Sequence, residues 1–326
     1  MKSLKNILNV GVAVATLAIG TSAAWAEGAK IFVVGGKPDD PFWGIVKRGA
    51  EDAAKVVEAQ GGSVTWLGPQ NYDNLGVDAA ELIRQAIAQG ATGVVGPDWV
   101  PDAMDPAFKA VRDAGIPLVI YNAGGIEAAD RLGALNYVGA VDYKAGVAGG
   151  EYVAKAGAKK GVCINSLPGA KNIEDYCSGF KEGLEKAGAA YDVIPLPATA
   201  EGNVAAVAEA FKAYLTAHPD TDAAFTTANL DAIGAAQGID AAGLTGKVKL
   251  CGINFDEGIL NQIKEGKQAC AVDQQGYQQG FYAVSILNGY INYGLSIATR
   301  EILTGPGVVD ATTIDATMAG AKSGTR

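Results

Sequence analysis

Two doubly wound α/β lobes of parallel sheet are the fold class this sequence predicts, on three observations. Apolar runs of strand length recur from residue 31 to residue 272, with amphipathic stretches between them. The runs are continuously apolar rather than alternating, which marks strands covered on both faces by helices. Ten such runs are many for one sheet, and a chain of 326 residues fits about two domains.

The first run, 31–34, leads into a helical pattern in which Val46, Ala50, Ala53 and Val57 share one face at i, i+4, i+7 and i+11. The run 64–67 leads into a second, with Leu82, Ile83, Ala86 and Ile87 together. Runs 93–95 and 118–121 bracket a third, and Gly115 ahead of Ile116-Pro117 punctuates the return from helix to strand. Run 137–139 closes the first half. The second half repeats the scheme with 162–164, 193–196, 223–225, 248–251 and 269–272. No Pro- or Ser-rich linker separates the halves, so short crossovers and a cleft between the lobes are expected.

Composition narrows the function. With 26 basic against 35 acidic residues the net charge is −9, which disfavours nucleic acid and anionic membrane as partners. Residues 1–26 read as a secretory signal peptide: Lys2 and Lys5, a short apolar run, then Ala24 and Ala26 flanking Trp25. The run is about 14 residues where a membrane span needs about 20. Cleavage after Ala26 is expected, leaving a periplasmic protein whose net charge falls to −11. Glu27 rather than a cysteine follows, which speaks against a lipid anchor.

The cysteines Cys163, Cys177, Cys251 and Cys270 have spacings that match no zinc pattern. In an oxidising compartment an even count points to disulfides, with three possible pairings. Cys163–Cys177 would tie a strand end to the following helix and Cys251–Cys270 would link two strands. That pairing is favoured, with four buried thiols as the alternative.

In doubly wound sheets ligands sit beyond the carboxyl ends of the strands. The ends here carry Asp39-Asp40-Pro41-Phe42-Trp43, Asp98-Trp99, Asn122, Asp142-Tyr143, Asn165-Ser166, Thr226-Thr227-Ala228-Asn229, Asn254 and Asp273-Gln274. Any one of these could be only a turn former or helix cap. As a set they form a wall for a neutral polyhydroxylated molecule: carboxylates and carboxamides bind hydroxyls, and aromatic faces cover C–H patches. An anion would want an arginine fork, and the six arginines fall elsewhere, most of them in helical patterns. His218, the single histidine, lies at a helix end, and no nucleophile elbow, P-loop or complete dinucleotide fingerprint occurs, so neither catalysis, a cofactor nor a metal is expected.

The 39–43 segment, residues 117–122, 139–145 and 273–279 resemble type I periplasmic binding proteins, and most of all the ribose- and simple-sugar-binding branch that serves ABC importers. The likeness follows the element order over almost all of the chain past residue 26. It implies that Asp40 is a polar ligand contact, that Phe42 and Trp43 stack on the ligand, and that Asn122 stands where the branch has a hydroxyl-binding Asp. It further implies a hinge-side polar role for Asp142 and ligand contacts from Asn254 and Gln274, while the strand ends themselves add Asp98, Trp99 and Asn229 as ligand-binding candidates. Where the branch often has arginine, this chain has Ala123 and Tyr176, which points away from ribose itself and keeps a sugar or polyol. The resemblance also implies two lobes, 29–141 plus 275–304 and 142–274 plus 305–326, joined by three hinge crossovers, and an inner-membrane ABC permease as partner of a monomer. A receptor for a sugar-like signal and an exported carbohydrate-active enzyme are the alternatives.

Overall fold

A computed structural model of the chain describes residues 28–326; the expected signal peptide and its cleavage site lie outside them. The first lobe opens with β1 (Lys30–Val34), α1 (Pro41–Ala59), β2 (Ser63–Leu67), α2 (Leu75–Ala88) and β3 (Gly93–Gly96). It continues with α3 (Pro101–Asp113), β4 (Leu118–Tyr121), α4 (Gly125–Leu132) and β5 (Tyr137–Ala140). The second lobe runs through α5 (Asp142–Lys155), β6 (Lys160–Asn165), α6 (Lys171–Glu185), β7 (Ala190–Pro195), α7 (Val204–Ala217), β8 (Ala223–Thr226) and α8 (Asn229–Ala241). It is completed by β9 (Lys249–Ile253), α9 (Glu257–Lys264) and β10 (Cys270–Asp273). After them come α10 (Gly276–Tyr293), β11 (Glu301–Gly305), β12 (Gly307–Val309) and α11 (Ile314–Lys322).

The strands form two six-stranded sheets, ordered β11-β5-β4-β3-β1-β2 and β12-β10-β9-β8-β6-β7. All pairings are parallel except β10 with β12. Interior strands such as β3, β4 and β8 are buried along their whole length, as continuous apolar runs require. The edge strands β2 and β7 are half-exposed and more polar. All ten expected strands are present. The short β11 and β12, on either side of Gly305-Pro306, have no counterpart in the expected series, because three to five residues leave too little pattern to read.

The chain passes between the sheets three times: from β5 into α5, from β10 into α10, and from β11 to β12. Thus α10 returns to the first lobe and packs on α1, while α5 packs on α6 in the second. Both helix pairs approach backbone to backbone. A Cβ at Gly179 would stand 2.0 Å from the carbonyl oxygen of Tyr143, and one at Gly280 equally close to that of Val46. Tyr290 and Tyr293 are exposed on α10, with the Tyr293 hydroxyl accepting from the amide of Gln60.

Disulfides join Cys163 to Cys177 and Cys251 to Cys270, with Cα atoms 5.6 and 4.7 Å apart. The first clips α6 to β6. The second links residues that face each other directly in the β9–β10 register. No helix among the described residues is long and apolar enough to cross a membrane.

Candidate functional site

The carboxyl ends of the two sheets face each other across a cavity of about 540 Å³, counting its opening to solvent. Its first wall is built on the start of α1. Pro41 is pre-set for the first helical turn, and Asp40 caps it, its Oδ1 accepting from the N–H groups of Phe42 (3.0 Å) and Trp43 (3.2 Å). The other carboxylate oxygen accepts from the Tyr72 hydroxyl at 3.0 Å. Trp43 is thereby fixed edge-on to Trp99 (centroids 5.4 Å) and to Phe42 (5.3 Å), and it also packs on Trp66 and Tyr121. The glycine ahead of this turn is demanded by that ring: a Cβ on Gly36 would meet Trp43 Cδ1 at 2.0 Å.

Two strand ends turn into the cavity on left-handed residues. Asn122 (φ 61°) and Asn254 (φ 63°) occupy the region that short polar side chains tolerate best after glycine. Asn122 donates to Gln279 Oε1 at 3.1 Å, and Gln279 in turn donates to the carbonyl of Gln274 and to Thr304, which itself bonds that carbonyl at 2.7 Å. The second and third passages between the lobes are thus stitched to a lining residue. Gln274 donates to Asn254 Oδ1 at 3.2 Å, and its own Oε1 has no partner.

The second wall comes from the starts of α6 and α8 and from the turn Ala198–Ala200. Tyr176, Asn172, Thr227, Asn229 and Glu201 line it. Here polar atoms are buried and unpartnered: Tyr176 Oη, Asn172 Oδ1, Asn229 Nδ2 and Glu201 Oε2. The walls are drawn together, since the Lys171 N–H at the head of α6 donates to the Trp99 carbonyl at 2.8 Å across the lobes. No lysine, arginine or histidine is among the residues lining the cavity.

Burial pushes the Asp40 carboxyl above the usual aspartate range, opposed by the helix N–H groups and Tyr72. Glu201 is pushed up to about 7, by burial first, with Ser166 opposing and Asp40 adding. Among the described residues no three His, Cys, Asp or Glu side chains converge to hold a metal ion. His218 caps the end of α7, where it stacks on Tyr214 at 4.3 Å.

Of the residues proposed from sequence, the structure brings Asp40, Phe42, Trp43, Trp99, Asn122, Tyr176, Asn229, Asn254 and Gln274 to this one cavity. Asp98 and Asp142, expected among the ligand-binding residues, lie outside its lining. Asp98 is fully buried and turned to Arg131, 2.5 Å away, which also holds Asp105; burial and the Asp105 charge push Asp98 up to about 6 despite the arginine. Asp142 is buried behind Tyr176 and borders a separate pocket with Lys171 and Asp175. Burial raises its carboxyl strongly, with Tyr176 opposing. Arginine does reach strand ends here, Arg131 at Asp98 and Arg326 at Asp273 (2.9 Å), but in both cases as a structural counter-ion outside the cavity lining.

Sequence reasoning missed Tyr72, Asn172 and Glu201. Tyr72 and Glu201 follow β2 and β7, the edge strands at the far side of each sheet.

The profile of the "Periplasmic binding protein domain" matches residues 31–295. Among curated relatives, the D-ribose/D-allose-binding protein of Pseudomonas aeruginosa is 27% identical over 215 residues, 62% of this chain and 64% of that one, so the match spans less than two thirds of that relative. The xylose/arabinose-binding protein XylF of Sulfolobus acidocaldarius is 23% identical over 302 residues, 84% of this chain and 72% of that one. Among solved structures, a carbohydrate transporter from Acidothermus cellulolyticus in complex with myo-inositol superposes with a TM-score of 0.83 at 28% identity, covering 92% of this chain and 100% of the other. With the paired sheets, the cleft between them and this profile in agreement, the chain belongs to the periplasmic binding protein domain family, whose members bind substrates rather than transform them and work in the periplasm or outside the cell.

Proposed function

We propose that this protein captures a neutral monosaccharide or polyol between its lobes and delivers it to an inner-membrane ABC permease. The observation that carries this reading is the cavity itself: aromatic on one side, rich in unpartnered amide and hydroxyl groups on the other, and without a cation in its lining. Buried polar atoms left unpaired are costly, so they define the places where ligand hydroxyls belong. The binding of myo-inositol by the similar Acidothermus protein, and the ribose/allose and xylose/arabinose names of the relatives, favour the same class.

The lobes open and close about the crossovers near 141–142, 274–275 and 304–305, and the permease reads the closed form. A ligand can favour closure only through contacts that both walls make at once. Both walls come from one chain, so a monomer suffices. The protein acts without catalysis, and export with cleavage after Ala26 places it in the periplasm. A thermal-shift screen of monosaccharides and cyclic and linear polyols tests the reading, since a ligand at about 100 times its Kd adds about 2.7 kcal/mol of stability. Stabilisation by one or a few members is expected; a screen without any stabilising member, or product formation from the ligand, would overturn it.

A further inference from the structure

One corner of the cleft is more acidic than a site for an uncharged ligand requires. Glu201 follows the turn Ala198–Ala200 in the second lobe, and its buried Oε2 has no hydrogen-bond partner. Facing it are Asp40 and Lys37 from the loop after β1, Tyr72 from the loop after β2, Ser166 from the end of β6, and Asp231 from α8. Asp231 is fully buried; its Oδ2 accepts from Ser166 at 2.6 Å, while its Oδ1 has no partner. Asp40 is engaged by Tyr72, and Lys37 stands over the Tyr72 ring, 5.1 Å from its centroid. Carboxyl groups of both lobes therefore meet where the lobes meet, with a single lysine among the groups that face Glu201.

Carboxylates crowded into a site that excludes water cannot all remain ionised. The simplest relief is a proton from solvent. Resting on the reading above that the lobes close over an uncharged polyol, we propose that Glu201 is a specificity-determining residue that takes up a proton as the cleft closes, so that the site admits uncharged ligands, turns away carboxylate-bearing sugars and binds more tightly in acid. Burial is the first cause that pushes the Glu201 carboxyl up, to about 7, with the Asp40 charge adding. In an open cleft it returns toward the ordinary glutamate range. Closing then binds a proton between roughly pH 4.5 and 7. The sign follows: affinity is greatest below that window, falls as pH rises through it, and is level above it.

The experiment is titration calorimetry with the tightest uncharged ligand from the screen, at pH 5 and pH 8, and at pH 6 in two buffers of different ionisation enthalpy. Wild-type affinity is expected to fall by about tenfold or more between pH 5 and 8, with close to one proton taken up per ligand at pH 6. Glu201→Gln should bind with a flat pH profile and no proton uptake, and the corresponding uronic acid should bind the wild type at least about tenfold more weakly than the neutral sugar. The buffer comparison needs no variant, so a misfolded Glu201→Gln leaves it decisive. Equal affinity at the two pH values without proton uptake would overturn the proposal while leaving the sugar-binding reading intact. Affinity that rises with pH would also overturn it, pointing to an ammonium-bearing ligand. If no uncharged sugar or polyol binds even at pH 5, both readings fall together.

Discussion

The two walls of the cleft are made differently. In the first lobe, Phe42, Trp43, Trp66, Trp99 and Tyr121 interlock as rings, and apart from the buried, unpartnered Trp66 Nε1 the polar side chains beside them are engaged, Asp40 by two N–H groups and Tyr72, and Asn122 by Gln279. In the second lobe the lining hydroxyl, amide and carboxyl groups of Tyr176, Asn172, Asn229 and Glu201 keep unpartnered atoms. The first wall is therefore a finished piece of core that happens to border a space. The second is incomplete without a guest. Shape and burial come from one lobe, and hydrogen-bond choice from the other.

Substitutions can break that contrast, the largest effect first. Trp43→Ala removes a nearly buried ring that touches four others, and it should cost about 3–5 kcal/mol of folding stability as well as ligand affinity. Denaturant unfolding and calorimetry on the same preparation check this. A variant as stable as wild type would show that the wall is not core. Asn229→Ala should do the opposite, leaving ligand-free stability nearly unchanged while weakening binding by about 1–3 kcal/mol, from roughly fivefold to over a hundredfold. Gln274→Ala should weaken binding within the same range, and because it also forfeits the bond to Asn254 it should lower ligand-free stability as well. Smallest of all, Asp98→Asn should hold affinity within about twofold, since contact with Arg131 rather than with ligand occupies that carboxylate. Its signature is in stability. A buried carboxyl raised to about 6 contributes most below the ordinary aspartate range and loses that contribution as pH rises toward 6. The wild type should show this decline between about pH 4 and 6, and Asp98→Asn should lack it.

How far the sequence could be read follows from the same contrast. Interior strands are apolar along their whole length, so they and the segments that follow them, with Trp43, Trp99, Asn122, Asn254 and Gln274, were legible. Tyr72 and Glu201 were not, because the edge strands β2 and β7 that lead to them carry a weaker apolar pattern. Asn172 sits inside a helix, where a polar residue ordinarily faces water. The sequence also could not show which way a strand-end aspartate turns. Asp98 is claimed by an arginine 33 residues on, and Asp142 is covered by Tyr176, pairings made only by the fold.

Both covalent clips belong to the second lobe, and the first contains no cysteine at all. Before oxidation, the half that carries the selective hydrogen-bonding groups lacks its cross-links, whereas the aromatic half is chemically indifferent to redox conditions. A reductant should therefore loosen one side of the molecule in preference to the other, so that selective recognition matures only after the thiols have met an oxidising environment.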